Sequence, residues 1–210
     1  MTKEQGVFLA NRNMAEYVFN GVKLSGCNIT LVETQMILKG ENVGHLSLRD
    51  IQRILNMRYA WNYMLATLEN VFDLDYLREV NKYVFRDGHI QGGKLRVNKS
   101  KSISGASYIP KIPVKGEVVA EIERLVGLES VTERAIKLFL WMCKEQIFID
   151  GNMRTGLVCA NRMLISGGGG VLTIKGAYKK DYDYHFKQYC ETGDLAIEQW
   201  LYDNCVIGFN

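Results

Sequence analysis

A helix that needs an interior position, and the helix that follows and returns beside it, constrain this chain more tightly than any other feature. Ser130-Val131-Thr132-Glu133 has the form of a capping box, in which the Ser hydroxyl and the Glu side chain satisfy backbone donors at a helix start. Behind it, up to Cys143, the residues Ala135, Ile136, Leu138, Phe139, Leu140, Trp141 and Met142 leave almost no polar face. A helix that is apolar nearly all round belongs at the centre of a bundle. A second helix is expected from Asn152 to about Ile165, stopped by Gly167 to Gly170, and it should return beside the first. With 210 residues the chain can wrap further helices around this pair, and Pro110 and Pro113 are its only prolines. The expected fold class is all-α, one domain over residues 1–210.

The join between the two helices, Gln146 to Gly156, carries the chemistry. A helix start offers unpaired backbone N–H groups and the positive end of a dipole, and anions bind there. Asp150 is placed to hold magnesium, which takes one or two carboxylates and completes its shell with phosphate oxygens and water. Gly151 lets the backbone approach a ligand or take a positive φ. Arg154, one turn into the second helix, can give a phosphate two parallel hydrogen bonds. The same residues also suit a plain helix–loop–helix corner, with Asp150 or Asn152 doing no more than capping the second helix. Spacing alone leaves both open.

The rest of the pattern is mostly helical. Phe8, Met14, Tyr17 and Val18 suggest one short amphipathic helix from Val7 to about Asn20; a turn follows at Gly21 and Gly26, and a helix is expected from near Thr30. Ser47-Leu48-Arg49-Asp50 opens a long helix to about Thr67, with Ile51, Ile54, Leu55, Trp61 and Leu65 at helical spacing. Shorter helices are expected over Asp75–Val84, Lys115–Leu125, Asp181–Cys190 and Leu195–Cys205, with Val171 to Ile174 extended. From Asp87 to Pro113, Gly88, Gly92, Gly93 and Gly105, with Ser100, Ser102, Ser104 and Ser107, break any helix. Leu95, Val97, Ile103, Tyr108 and Ile109 suit two short extended segments there. Lys94, Arg96, Lys99 and Lys101 make the tip basic, which also fits an ordinary solvated loop.

Phe148, Asp150, Gly151, Asn152 and Arg154 together resemble the signature of Fic-domain proteins, H-x-F-x-(D/E)-G-N-(G/K)-R-x-x-R. Gly93, Arg96, Ile103, Gly105, Tyr108 and Pro110 are similar to a second family pattern, G-x-x-R, a variable stretch, then I-x-G-x-x-Y-x-P. The resemblance implies a Fic-fold helical bundle with a small β-hairpin flap, a regulatory-like segment over 1–45 and a core over 46–210. It implies transfer of AMP from ATP to a protein hydroxyl, with ATP and Mg2+ as cofactors. Asp150 would be the metal ligand, and Phe148, Gly151, Asn152 and Arg154 the nucleotide-binding residues. Arg96, Ile103, Gly105 and Tyr108 would form the flap against which a target protein docks by strand addition. Tyr182 and Tyr184 stand where family members can carry aromatic residues that flank a base.

The departures from the pattern fall on proton transfer and restraint. Gln146 stands in place of the His that serves as general base, Met153 in place of Gly or Lys, and Leu157 in place of a second Arg. The family's inhibitory segment, (S/T)-x-x-x-E-G-N, aligns with Gly21 at its Ser or Thr, Ser25 at its Glu and Cys27 at its Asn. Both halves of the family's Glu–Arg brake are then absent. A carboxamide does not ionise usefully near neutrality, and general-base catalysis contributes roughly 10²- to 10⁴-fold. Positioning and electrostatic stabilisation, which carry most of a phosphoryl-type transfer, would remain. The expectation is nucleotide binding with impaired or absent transfer. Two alternatives stand beside it: an active AMP- or phosphate-transferase with another base, and a non-catalytic module that binds a protein through the flap.

Composition narrows the partners. A net charge of +3 is too small for the concentrated basic face that nucleic acid needs. No apolar run approaches the ~20 residues of a membrane span, and the N-terminus lacks a signal-peptide pattern. The expected setting is the cytoplasm, with neither nucleic acid nor membrane as partner. Five scattered cysteines without a Cys-x-x-Cys pair read as buried thiols in a reducing compartment. His45, His89 and His185 have no metal-ligand spacing.

Overall fold

The computed structural model of the chain describes residues 1–86, 91–100, 103 and 105–208. Among them are ten α-helices: α1 (Lys3–Arg12), α2 (Met14–Leu24), α3 (Leu31–Leu38), α4 (Leu48–Ala66), α5 (Leu74–Val84), α6 (Lys115–Val126), α7 (Val131–Glu145), α8 (Asn152–Ser166), α9 (Lys179–Thr192) and α10 (Ala196–Cys205). Two short strands, β1 (Val171–Leu172) and β2 (Val206–Ile207), complete an all-α architecture with a small β element.

Local signals set most of the helix starts. Ser47 accepts from the Asp50 N–H, Asp73 from the Tyr76 N–H and Ser130 from the Glu133 N–H, each satisfying one donor that a helix start leaves unpaired. Thr30 and Glu33 form a full capping box at α3. The single helix expected over Val7 to Asn20 is two. A capping box between Thr2 and Gln5 starts α1 earlier, and the chain breaks at Asn13 before α2.

The α7/α8 pair occupies the centre, as the apolar pattern demands. Leu138, Phe139, Leu140 and Met142 of α7, with Val158, Cys159, Ala160 and Leu164 of α8, have no exposed surface. The two helices pack tightly at Gly156, where an added Cβ would lie 2.8 Å from Met142 Cβ. Gly156→Ala is therefore expected to cost about 1–3 kcal/mol by overpacking, read as a lower urea midpoint; an unchanged midpoint would mean that the pair can spread. The fully buried Asn161 of α8 then anchors β1, donating to the Leu157 and Leu172 carbonyls and accepting from the Leu172 N–H. β1 pairs antiparallel with β2, Val171 opposite Ile207 and Leu172 opposite Val206.

In the stretch expected as a flap, Leu95 makes one antiparallel bridge to Phe148. The Ile103 N–H donates to the Tyr108 carbonyl at 3.1 Å. No strand ladder forms among the described residues of this stretch; the paired strands among the described residues, β1 and β2, lie outside it. Gly88, His89, Lys101, Ser102 and Ser104 lie outside the described residues. Among the described residues, no helix is long and apolar enough to cross a membrane. All five cysteines are buried and free of disulfides.

Candidate functional site

The chain leaves α7 through Gln146, whose backbone is left-handed, φ 45° and ψ 56°, the one such non-glycine residue among those described. That conformation is unfavourable for a residue with a Cβ, so the surroundings must hold it. Arg96 does much of this. It is 6% exposed, and its guanidinium donates to the carbonyls of Gln146 (3.0 Å), Lys111 (2.6 Å), Glu145 (3.4 Å) and Asn98. Its own N–H donates to the Ile147 carbonyl at 2.8 Å. Arg96 thus points inward and ties residues 96–98 and 111 to the end of α7, rather than facing outward where a target would meet it.

Asn152 shapes the next turn. Its Oδ1 accepts from the Phe148 N–H and its Nδ2 donates to the Phe148 carbonyl, both at 2.8 Å. The Phe148 ring itself has no exposed surface. Across the loop the buried Asn81 of α5 donates to the Asp150 carbonyl and to Thr155 Oγ1, each at 3.0 Å, and accepts from the Gly93 N–H at 2.9 Å. One carboxamide therefore joins α5, the loop, α8 and the start of the 91–100 stretch. Nothing in the motif pointed to it. The available signal was a polar residue one turn beyond Leu77, on the face that α5 buries.

Gly151 is the N-cap of α8, with φ 76°, and a Cβ there would come within 2.8 Å of Val84 Cγ1. As a glycine, this N-cap offers no side chain to cap α8, and the first turn holds no acidic residue. Asp150 Oδ1 takes the Gly151 N–H, which precedes the helix, and Asn152 is occupied with Phe148. Of the capping that a plain corner would use, only the N-cap N–H is satisfied by a side chain, that of Asp150. The first turn, Asn152 to Arg154, lines a cleft of about 690 Å³, within the usual size of small-molecule sites.

Gln146, Asp150, Gly151, Asn152, Met153 and Arg154 line this cleft on the motif side. Ser25 and Gly26 at the end of α2, Arg53 of α4, Ile103, Gly105 and the start of α9 line the rest. Its charged groups are Arg53, Arg154, Lys179 and Lys187 against Asp150 and Asp183, an excess that favours a polyanion. Arg154 is 5% exposed, with Nη1 donating to the Val84 carbonyl at 3.3 Å and Nη2 3.9 Å from Asp150 Oδ1. The Asp150 side chain is 45% exposed. One accessible carboxylate beside an uncapped helix start fits magnesium shared with phosphate oxygens. Among the described residues no group of three or more His, Cys, Asp or Glu could hold a metal by protein ligands alone.

The other expected site residues divide: Ser25, Met153, Tyr182 and Tyr184 line the cleft, whereas Tyr108 and the described histidines do not. Tyr108 donates to Glu145 at 2.8 Å, and burial, then that carboxylate, raises its pKa above the ordinary value. Glu145 lines a second, smaller cleft with Pro113 and Trp141, not the one lined by Gln146. His45 pairs with Glu33 at 3.0 Å and His185 packs on Trp200 at 5.5 Å; neither lines the cleft. Tyr182 is buried, stacked on Phe186 at 5.5 Å, with its hydroxyl beside the Cys143 thiol. Tyr184 is 62% exposed at the cleft. Leu157 is buried, and Ser25 Oγ donates to the Gly21 carbonyl at 3.0 Å. Met153 is half-buried at the rim.

A family model described as Fic/DOC family matches residues 71–164. Among curated proteins, the chain is similar to the protein adenylyltransferase Fic of Drosophila erecta, 25% identical over 194 residues that cover 86% of this chain and 38% of that protein. The protein adenylyltransferase Fic of Drosophila melanogaster is 26% identical over 195 residues, with the same coverage of each. The chain thus spans little more than a third of the length of these relatives. Among solved structures, residues 134–508 of Fic-1 from C. elegans superpose with a TM-score of 0.77 at 19% identity, over 91% of this chain and 59% of that one. A Fic domain containing signaling protein from Bacteroides thetaiotaomicron gives 0.76 at 19% identity, over 92% and 81%. Identity at this level establishes likeness of fold.

Proposed function

Because the chain carries a Fic domain, we propose that it binds a purine nucleotide with magnesium in the cleft before α8 and is a weak or inactive relative of the protein adenylyltransferases. The observation that carries this reading is the uncapped start of α8 opening on a cationic cleft. The first-turn N–H groups and the Arg154 guanidinium bind the phosphate chain. Asp150 would hold the magnesium, which would supply charge neutralisation to the phosphate chain. Gln146 cannot take a proton from an attacking hydroxyl, and no described histidine or Glu145 lines the cleft to replace it. The expected target is a hydroxyl-bearing protein segment, docked near Ile103 and Gly105 at the cleft edge.

Titration calorimetry tests the reading. The protein should bind ATP with Mg2+ more tightly than ATP with a chelator, and Asp150→Asn should remove that difference. Absence of binding under either condition would sink the proposal. Incubation with α-labelled ATP and a cell lysate tests the impairment. A strongly labelled band, lost in Asp150→Asn, would establish an active transferase with another base; label from the γ position alone would indicate phosphate transfer.

A further inference from the structure

Gln146 is fixed as an acceptor at one end of its side chain and left as a donor at the other. Ser100 Oγ donates to Gln146 Oε1 at 2.9 Å. The two N–H groups of Nε2 have no partner among the described residues, although the side chain lines the cleft. The backbone beneath it is held in the left-handed region by the Arg96 guanidinium and by a 3.2 Å hydrogen bond from the Gln146 N–H to the Met142 carbonyl. Glycine or asparagine fits that conformation at lower cost. Strain of this kind, held by surrounding contacts, is typical of sites that present a side chain to a ligand.

We propose that the Gln146 carboxamide, oriented by Ser100, donates a hydrogen bond to a phosphate oxygen of the nucleotide. The inference rests on the nucleotide reading above and gives the residue a binding role in place of the proton transfer it cannot perform. The surrounding charges agree. Arg53, Arg154, Lys179 and Lys187 outnumber Asp150 and Asp183, so the ligand that comes to Nε2 is anionic. With its oxygen engaged by Ser100, the carboxamide meets the ligand through Nε2.

Binding of ATP with Mg2+ to the intact chain tests this, with Gln146→Met, Gln146→Glu and Ser100→Ala. Gln146→Met keeps the length and loses the donor, and affinity should fall roughly tenfold, the scale of one hydrogen bond to a charged group. Gln146→Glu should bind more weakly still at neutral pH. Relative to the unaltered protein it should recover as pH falls and the carboxyl, once protonated, regains a donor. A side chain that only fills space would give no such pH-dependent ratio. Ser100→Ala, away from the strained backbone, should lose less than Gln146→Met and keeps the test valid where a Gln146 variant folds poorly. Equal affinities across the series, with the unaltered protein binding normally, would overturn this inference and leave the nucleotide reading standing. No binding by the unaltered protein would remove both.

Discussion

Gln146→His is expected to raise transfer of label from α-labelled ATP to protein by roughly 10²- to 10⁴-fold, the range that a positioned general base supplies. On the proposed reading the rest of the site suits it: a helix start without a side-chain cap from its N-cap residue, Arg154 at the first turn and an accessible Asp150 carboxylate. The backbone accepts the change, since histidine tolerates the left-handed region better than most residues, and Arg96 fixes the carbonyl whatever the side chain. Ser100 also accommodates it. A hydroxyl either donates or accepts, so it can take the imidazole N–H and leave the other ring nitrogen free to act as base. That tautomer is the one a base needs. The gained activity should rise with pH through the imidazole range, ordinarily about 6.5, because the neutral ring is the competent form. If Gln146→His binds ATP and Mg2+ as tightly as the parent and still transfers nothing, the defect lies elsewhere. Met153 at the rim and the uncharged Leu157 are then the next positions to change.

What could be read from the sequence was what short-range chemistry decides. The capped start of α7, its apolar circumference and the glycines after α8 fixed the central pair, and the family signature fixed where the loop between them lies. The roles inside that loop were less legible, because distant partners decide them. Asn152 reads as a cap or a ligand contact until Phe148 is seen to occupy both ends of its carboxamide. Arg96 reads as part of a basic tip until four carbonyls turn it inward. Tyr182 and Tyr184 are two residues apart in sequence, yet one is in the core and the other faces solvent, a difference set by how α9 packs. The break at Asn13 was missed for the opposite reason. A continuous amphipathic pattern hid a purely local stop.

Asn81→Leu is expected to destabilise the protein by about 2–5 kcal/mol, as several polar groups lose their partner at once. The substitution suits the shape of the site but removes both donors and the acceptor, leaving the Gly93 N–H, the Asp150 carbonyl and Thr155 Oγ1 without it. The three losses are unequal. The Asp150 carbonyl sits in a part-buried bond, and the Thr155 hydroxyl can rotate toward another acceptor. Gly93 is buried, with φ 75° and a position only glycine fits, since an added Cβ would lie 2.8 Å from the Arg78 carbonyl. Its N–H therefore bears most of the cost. Asn81→Asp separates the contributions. It keeps an acceptor for Gly93 but sets a carboxylate oxygen against the Asp150 carbonyl, so it should retain more stability than Asn81→Leu while still loosening the loop. Urea denaturation reads the first effect, and ATP titration with Mg2+ under native conditions reads the second. Should Asn81→Leu unfold at the parental midpoint and bind ATP unchanged, the loop would be held by Asn152 and Gly151 alone, and Asn81 would be a bystander to the site.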